Sequence, residues 1–307
     1  MLINAIPKEW IEKAKTYLHN EDLTLFSLEE ILKNHPKPES LIEYLNERRF
    51  ILLTRILDYS SCLRKFLIRH PTAFEENIPG LWYRFKNKET YLRELKKFSD
   101  RFKDSSELLA FYRHYELLRV FAKELLGTAT LEEILAEYSV LADALVEYAY
   151  REAFRKITNR YGEPITSSGN IAGGLVLGLG KLGSEELNYY SDIDLIFLHE
   201  TDEGKAGTLS LTQFFEKVFK ETVQILTKIT PEGKPYEVDL DLRPFGKSGP
   251  ITMSLRSAEL YYESYGRTWE RFALLRARFV AGEEKLYDWF WKEVQLPFVY
   301  KQPTDPK

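Results

Sequence analysis

The sequence predicts an α+β protein, predominantly helical, in which a small sheet unit is flanked by helical bundles. Three observations carry that expectation. Over residues 8–160, leucines and aromatics alternate with charged residues at three- and four-residue spacing, the period of amphipathic helices. Between residues 166 and 253 the pattern changes to short apolar runs of strand length, broken by glycines. From Ser254 the helical period returns, through AELYYESYGRTWERFALLRARFVAG to about Val294. The expected division is a helical region at 1–165, a sheet-bearing core at 166–253 and a C-terminal helical segment at 254–307.

Within the first region, LIEYLNERRFILLTRILDYS and SELLAFYRHYELLRVFAKELL read as amphipathic helices. Breaks are expected where Pro, Gly or Asn cluster: His35-Pro36-Lys37-Pro38, His70-Pro71, Asn77-Ile78-Pro79-Gly80 and Gly127-Thr128. Thr130-Leu131-Glu132-Glu133 has the form of a capping box, in which hydroxyl and carboxylate satisfy free amides, opening a helix to about Arg160. Tyr161-Gly162-Glu163-Pro164 and the polar Thr166-Ser167-Ser168-Gly169-Asn170 then mark a domain boundary. Beyond it, strands are expected at Gly174–Leu179, Ile193–His199 and Tyr236–Leu242, with a helix from Leu211 to Ile229.

Composition narrows the function classes. The 307 residues are 44% apolar, ample for a core. Forty-three basic against forty-seven acidic residues leave a net charge of -4, which points away from nucleic acid and anionic membrane as partners. Cys62 is the only cysteine, so no internal disulfide or Cys-based zinc site is available and a reducing compartment fits. The opening MLINAIPKEWIEKAK lacks the basic and apolar segments of a leader, and no run of about 18 apolar residues occurs. A cytoplasmic location is expected.

The chemistry concentrates in GGLVLGLGKLGSEELNYYSDIDLIFLHE, Gly173 to Glu200. Asp192 and Asp194 are two apart, so on a strand they share a face and can grip one cation. In the third expected strand, Glu237, Asp239, Asp241 and Arg243 alternate with apolar residues. That is the pattern of an ordinary solvated face. It is also what would bring Asp239 beside Asp192 and Asp194, where three carboxylates suit magnesium or manganese ions and phosphoryl chemistry. Without metal, three such acids repel.

Gly178, Gly180 and Gly183 permit close backbone approach, and a helix starting near Leu182 would aim free amides at a phosphate, with Lys181 adding a charge. Ser184 and Ser191 suit hydrogen bonds to phosphate or to metal-bound water, and equally suit capping or turn formation. The same glycines match the dinucleotide fingerprint GxGxxG, with Glu200 near the place of a ribose-binding acid. Only nine residues separate Gly183 from Ile193, too few for a crossover helix, and two aspartates open the next strand. A phosphate-binding P-loop fails because Lys181 is followed by Leu182. Nucleotidyl transfer, dinucleotide binding and a site without catalysis stand as alternatives at the level of the residues alone.

Gly180-Lys181, ten intervening residues and Asp192-Ile193-Asp194 resemble the signature of DNA polymerase β-type nucleotidyltransferases. The wider text GLGKLGSEELNYYSDIDLIF, with VDLDLRPFGKSGPI and YYESYGRTWERFALLRAR, resembles the bifunctional glutamine synthetase adenylyltransferase/adenylyl-removing enzymes over roughly residues 50 to 300. That family carries two nucleotidyltransferase units, the N-terminal one removing AMP from a glutamine synthetase tyrosine and the C-terminal one attaching it. FLIRHP, LLGTATLEEILAEYSVLADALVEYA, and Arg-Pro-Phe-Gly with Gly-Arg-Thr-Trp-Glu-Arg are similar to the removing unit.

The resemblance implies a polymerase β-type sheet unit, with Asp192, Asp194 and Asp239 as catalytic metal ligands for Mg2+, or Mn2+ in its place. It places Gly180 and Lys181 against phosphate and makes Arg243 a candidate for neutralising phosphate charge, and Gly183, Ser184 and Ser191 join them as candidate cofactor-binding residues on the reading of the glycine turn above. Asp241 stands where the family pattern VDxRLRP has Arg, and is a candidate fourth acid. The implied reaction is phosphorolysis: inorganic phosphate attacks the AMP phosphorus of adenylylated glutamine synthetase, releasing ADP and free tyrosine. The alternatives are adenylylation from ATP, or a regulatory module without catalysis that binds glutamine synthetase or a PII-type signal protein. A dinucleotide-dependent oxidoreductase ranks third. The text stops at Thr304-Asp305-Pro306-Lys307, before the second unit the family leads one to expect, as an excised fragment or a compact single-unit form would.

Other conspicuous residues have plainer expectations. The five histidines show no metal-ligand spacing and are expected at surfaces or caps. Tyr261, Tyr262, Tyr265 and Trp269 fall at helical spacing and are expected to pack. Glu270 and Arg271 are equally suited to supporting the site and to touching substrate. Phe245–Pro250 reads as a turn.

Overall fold

The computed structural model describes residues 2–78 and 85–301; the expected break at Pro79-Gly80 and the terminal Thr304–Lys307 lie outside them. Helices occupy the chain as far as Tyr161: α1 (Lys8–Lys15), α2 (Glu21–Asn34), α3 (Pro38–Tyr44), α4 (Glu47–Tyr59), α5 (Ser61–Arg69), α6 (Ala73–Asn77), α7 (Lys88–Ser99), α8 (Ser105–Leu126) and α9 (Leu131–Tyr161). Their starts are specified locally. Asn20, Asn46, Ser60 and Asn87 each accept the amide three residues on, satisfying a donor the helix leaves free. At α9 the capping box forms, Thr130 N–H to Glu133 Oε2 at 2.8 Å and Glu133 N–H to Thr130 Oγ1 at 3.3 Å.

The chain divides into two compact units, Met1–Lys86 with Phe111–Tyr138, and Asn87–Ala110 with Ser139–Lys307. In the first, Leu28, Ile31, Phe50, Leu53, Ile56, Leu63 and Leu67 form an apolar interior. It also encloses charge: Lys86 and Arg119 meet Glu116 at 2.9 Å, while Arg119 and Lys123 meet Glu137 at 2.6 and 2.5 Å. Burial is tolerable for these ions because each acid has a cation in direct contact.

The second unit holds the sheets. β1 (Ile165–Thr166), β4 (Gly204–Ala206) and β5 (Leu209–Ser210) form a small antiparallel set. The main sheet is mixed. β2 (Gly174–Leu179) runs antiparallel to β3 (Ile193–His199) on one side and to β8 (Arg278–Gly282) on the other. β3 also pairs, in parallel, with β6 (Val238–Asp239) at its start and β7 (Thr252–Ser254) at its end.

Both faces of β2 and β3 are covered, which is why they read as continuous apolar runs rather than alternating ones. Leu175, Leu177, Leu179, Ile196 and Leu198 pack with α12 (Leu255–Ser264), α13 (Thr268–Leu275), α14 (Glu284–Phe290) and the π-helical turns after it. On the opposite face, Phe197 stacks on Phe219 of α11 (Leu211–Thr227) at 4.6 Å between ring centres. A single helical turn, α10 (Gly180–Gly183), joins the end of β2 to the loop before β3. Among the described residues no helix is long and apolar enough to cross a membrane.

Four expectations needed correction. The polar run 166–170 is a hydrogen-bonded turn, Asn170 N–H donating to Thr166 Oγ1 at 3.1 Å, and α9 from Ser139 onward belongs with the sheet. The third strand shrinks from Tyr236–Leu242 to Val238–Asp239, because the Asp239 carboxylate accepts the Asp241 amide at 2.7 Å and bends the chain. The C-terminal helical stretch is interrupted by β8, which ends at Gly282 with φ +95°. The histidines do not all lie at surfaces or caps: His35 caps α2, but His114 and His199 are buried within α8 and β3.

Candidate active site

The site is built where β2 ends, β3 begins and β6 joins. Asp194 pairs with Leu179 across β2 and with Asp239 across β6, so register alone puts Asp194 and Asp239 side by side. Asp192 lies exposed just ahead of β3. Asp194 is half-buried, and burial first, then the Asp192 and Asp239 carboxylates, push its carboxyl above the usual value, with Lys181 opposing. The three acids therefore share one electrostatic field.

The glycine turn lies directly on this group. Gly180 has φ +54°, and a Cβ there would stand 2.2 Å from Asp194 Oδ2. A Cβ on Gly183 would stand 2.0 Å from the Arg276 carbonyl oxygen. The helical turn starts at Gly180, two residues before the start expected near Leu182, and lasts one turn before Glu185 reverses it at φ +57°. Lys181 is exposed and donates to Ser191 Oγ at 3.2 Å, so both stand on the rim of the acidic group. Ser184 closes the turn, its amide donating to Gly180 O at 3.1 Å.

Asp241 and Arg243 lie in the loop after β6 rather than on a strand. Lys247 pairs with Asp241 at 3.1 Å. The Arg243 guanidinium donates to the carbonyls of Leu240 (2.8 Å), Lys247 (3.1 Å), Gly249 (3.2 Å) and Pro250 (3.2 Å), stitching residues 240–250 together. Phe245, at φ +63°, donates its amide to Tyr261 Oη at 3.2 Å, and that hydroxyl donates to the buried Glu270 at 2.8 Å. Glu270 also accepts the Arg267 amide at 2.8 Å, so it supports the loop from within the fold. Tyr261 and Tyr262 are buried as expected, whereas Tyr265 and Trp269 are exposed, at 67% and 44%.

Three participants carry no sequence signal. Arg278 of β8 and Ser139 of α9 contact the glycine turn or the segment after it, and Asp143 of α9 holds Arg278. The only hint is an acid inside the apolar text LADALVEYA.

Whether Asp192, Asp194 and Asp239 suit a divalent cation rests on donor chemistry and space. Carboxylate oxygens are the donors magnesium and manganese prefer, and glycine at 180 leaves the Asp194 carboxylate the room that a Cβ would take. Among the described residues no three His, Cys, Asp or Glu side chains are drawn together into a ready-made metal cluster. The mutual repulsion that raises Asp194 also works against close convergence. The antiparallel pairing of β2 with β3 excludes the parallel crossover of a dinucleotide-binding unit, and Glu200 instead accepts the Gly173 amide at 3.0 Å.

An acidic group against a glycine turn, on a mixed sheet, is the arrangement the sequence leads one to expect of a nucleotidyltransferase fold. More closely, the chain belongs to the glutamate-ammonia ligase adenylyltransferase family, GlnE, whose model matches residues 50–292. It is similar to the bifunctional glutamine synthetase adenylyltransferase/adenylyl-removing enzyme of Shewanella woodyi, 34% identical over 272 residues, which cover 82% of this chain and 27% of the relative. The enzyme of the same description from Shewanella oneidensis is 38% identical over 204 residues, 66% of this chain and 21% of the relative. That from Idiomarina loihiensis is 34% identical over 205 residues, 66% of this chain and 22% of the relative. The chain thus spans about a quarter of the length of these relatives.

Proposed function

We propose that this chain is a metal-dependent nucleotidyltransferase unit that removes AMP from a tyrosine of adenylylated glutamine synthetase by phosphorolysis, releasing ADP. The observation that carries the reading is the Gly180 backbone seated on Asp194, with Asp239 in register beside it. The direction is supported by the likeness of Arg243–Gly246 and Gly266–Arg271 to the removing unit of the family.

An oxygen of inorganic phosphate forms a bond to the AMP phosphorus, the bond from that phosphorus to the tyrosyl oxygen breaks, and the proton of the entering phosphate ends on the phenol. Asp192, Asp194 and Asp239 would hold magnesium, or manganese in its place, which supplies positive charge to the entering and leaving oxygens. Lys181 adds positive charge at the rim, where anionic phosphate would approach. The Arg243 loop frames the side of the site beyond β6. Adenylylated glutamine synthetase is the partner this requires, a PII-type signal protein is a candidate regulator, and a cytoplasmic setting suits both.

The test is incubation with magnesium, phosphate and adenylylated glutamine synthetase, measuring ADP, alongside ATP with unmodified synthetase, measuring attached AMP. Phosphate-dependent ADP release is expected, falling by about 10²-fold or more in Asp192→Asn or Asp194→Asn protein. AMP attachment without ADP release would reverse the direction. Inactivity of the folded protein in both arms would leave a binding module.

A further inference from the structure

The segment from Leu182 to Leu187, which closes the glycine turn, is fixed from outside by side chains of two distant elements. Arg278 donates to the Leu182 carbonyl from Nε at 3.2 Å and from Nη2 at 2.9 Å. The same guanidinium forks onto Asp143, Nη1 to Oδ2 at 2.6 Å and Nη2 to Oδ1 at 2.9 Å. Asp143 is 6% exposed and belongs to α9. One turn earlier on the same helix face, Ser139 Oγ accepts the Leu187 amide at 3.0 Å.

One face of α9 thus holds the segment at both ends, directly at Leu187 and through Arg278 at Leu182. Leu182 belongs to a one-turn helix that begins at Gly180, so fixing its carbonyl fixes the turn. Gly180 in turn has no slack against Asp194. A largely desolvated ion pair of this kind contributes little net stability compared with an apolar replacement, while its fork geometry sets position tightly.

We infer that Asp143 and Arg278 are positioning residues of the transfer site, a part-buried brace that sets the glycine turn against Asp194 and so fixes where nucleotide phosphates lie. Its catalytic consequence rests on the phosphoryl-transfer reading; its hold on the turn does not.

The test uses the full chain carrying Asp143→Asn, Arg278→Met, both together, and the milder Arg278→Lys and Ser139→Ala, with folding checked by thermal melts. Amide hydrogen exchange over residues 180–187 is expected to quicken about tenfold in each folded brace variant, with α11 unchanged. ADP release should show kcat down by about 10²-fold in Asp143→Asn and Arg278→Met, with the double variant no worse than either single. Unchanged exchange at 180–187 in the folded variants overturns the brace. Quickened exchange with unaltered kcat overturns its catalytic role, and so does additive loss in the double variant. If wild-type protein forms no ADP, the phosphorolytic reading falls, and exchange alone decides whether the brace positions the turn.

Discussion

Gly180 has two separate reasons to be glycine, and they can be measured apart. Its φ of +54° is a left-handed conformation that side chains disfavour, and a methyl group there would meet Asp194 Oδ2 at 2.2 Å. Gly169 has the first property alone: φ is +86° and nothing lies within 4 Å of an added Cβ. Gly180→Ala is therefore expected to lower stability by about 1–3 kcal/mol and ADP release by about 10²-fold. Gly169→Ala should lose about 1 kcal/mol and leave ADP release unchanged. Urea melts and turnover together check the pair. At this scale the sequence shows the acids and glycines, because their chemistry requires those residue types whatever the surroundings. It hides Arg278 and Asp143, because an arginine in LRARFVAG and an aspartate in LADALVEYA look like solvated positions until the fold buries the aspartate and partly covers the arginine.

Among the elements, the loop from Leu240 to Pro250 shows where alternation misleads. Alternating polarity is what a strand needs, but it does not outweigh a carboxylate that captures the backbone amide two residues on, nor Pro244 and a left-handed Phe245 just beyond. β2 and β3, by contrast, fall at Gly174–Leu179 and Ile193–His199 as their apolar runs indicate, since helices on both faces leave no other place for such segments. The loop also separates two roles for Arg243. Its bonds to the carbonyls of residues 240, 247, 249 and 250 make it a brace of its own loop. Arg243→Ala is expected to quicken amide exchange across 240–250 about tenfold. A brace would leave the KM for phosphate within about twofold, whereas a larger rise would show that Arg243 also meets the anion.

Over the whole molecule, His199 and Asp202 should lose their contributions to the fold in a definite order as pH falls. His199 is buried, contacting Thr252 at 3.1 Å and Asp202 at 3.0 Å; burial holds its imidazole below the ordinary value of 6.5, with Asp202 partly opposing. For Asp202, burial alone would raise the carboxyl, but bonds from Ser254, Thr212 and His199 hold it below 3.8. As pH falls through 6.5, the unfolded chain takes up a proton at position 199 that the folded chain resists, so stability present above that pH is lost. The Asp202 contribution is lost only as pH falls further, below 3.8. Between roughly pH 7 and 5 the Tm of the wild type should therefore fall relative to that of His199→Gln, while the buried Asp143 carboxyl, pushed up to about 6, works in the opposite direction in both proteins. An unchanged slope in the variant would assign any decline to other groups.

β8 gives the main sheet a dependence on the order of synthesis. Asp192, Asp194 and Asp239 have all been made by the time the chain reaches Leu240, but the strand bordering β2 is completed only at Gly282. A nascent chain that has emerged through Pro250 carries every acid of the group, yet neither the far edge of β2 nor the arginine that ties down the glycine turn. Pairing across so many intervening residues is slow to close. Translation therefore delivers the reactive groups before it delivers the geometry that makes them a site.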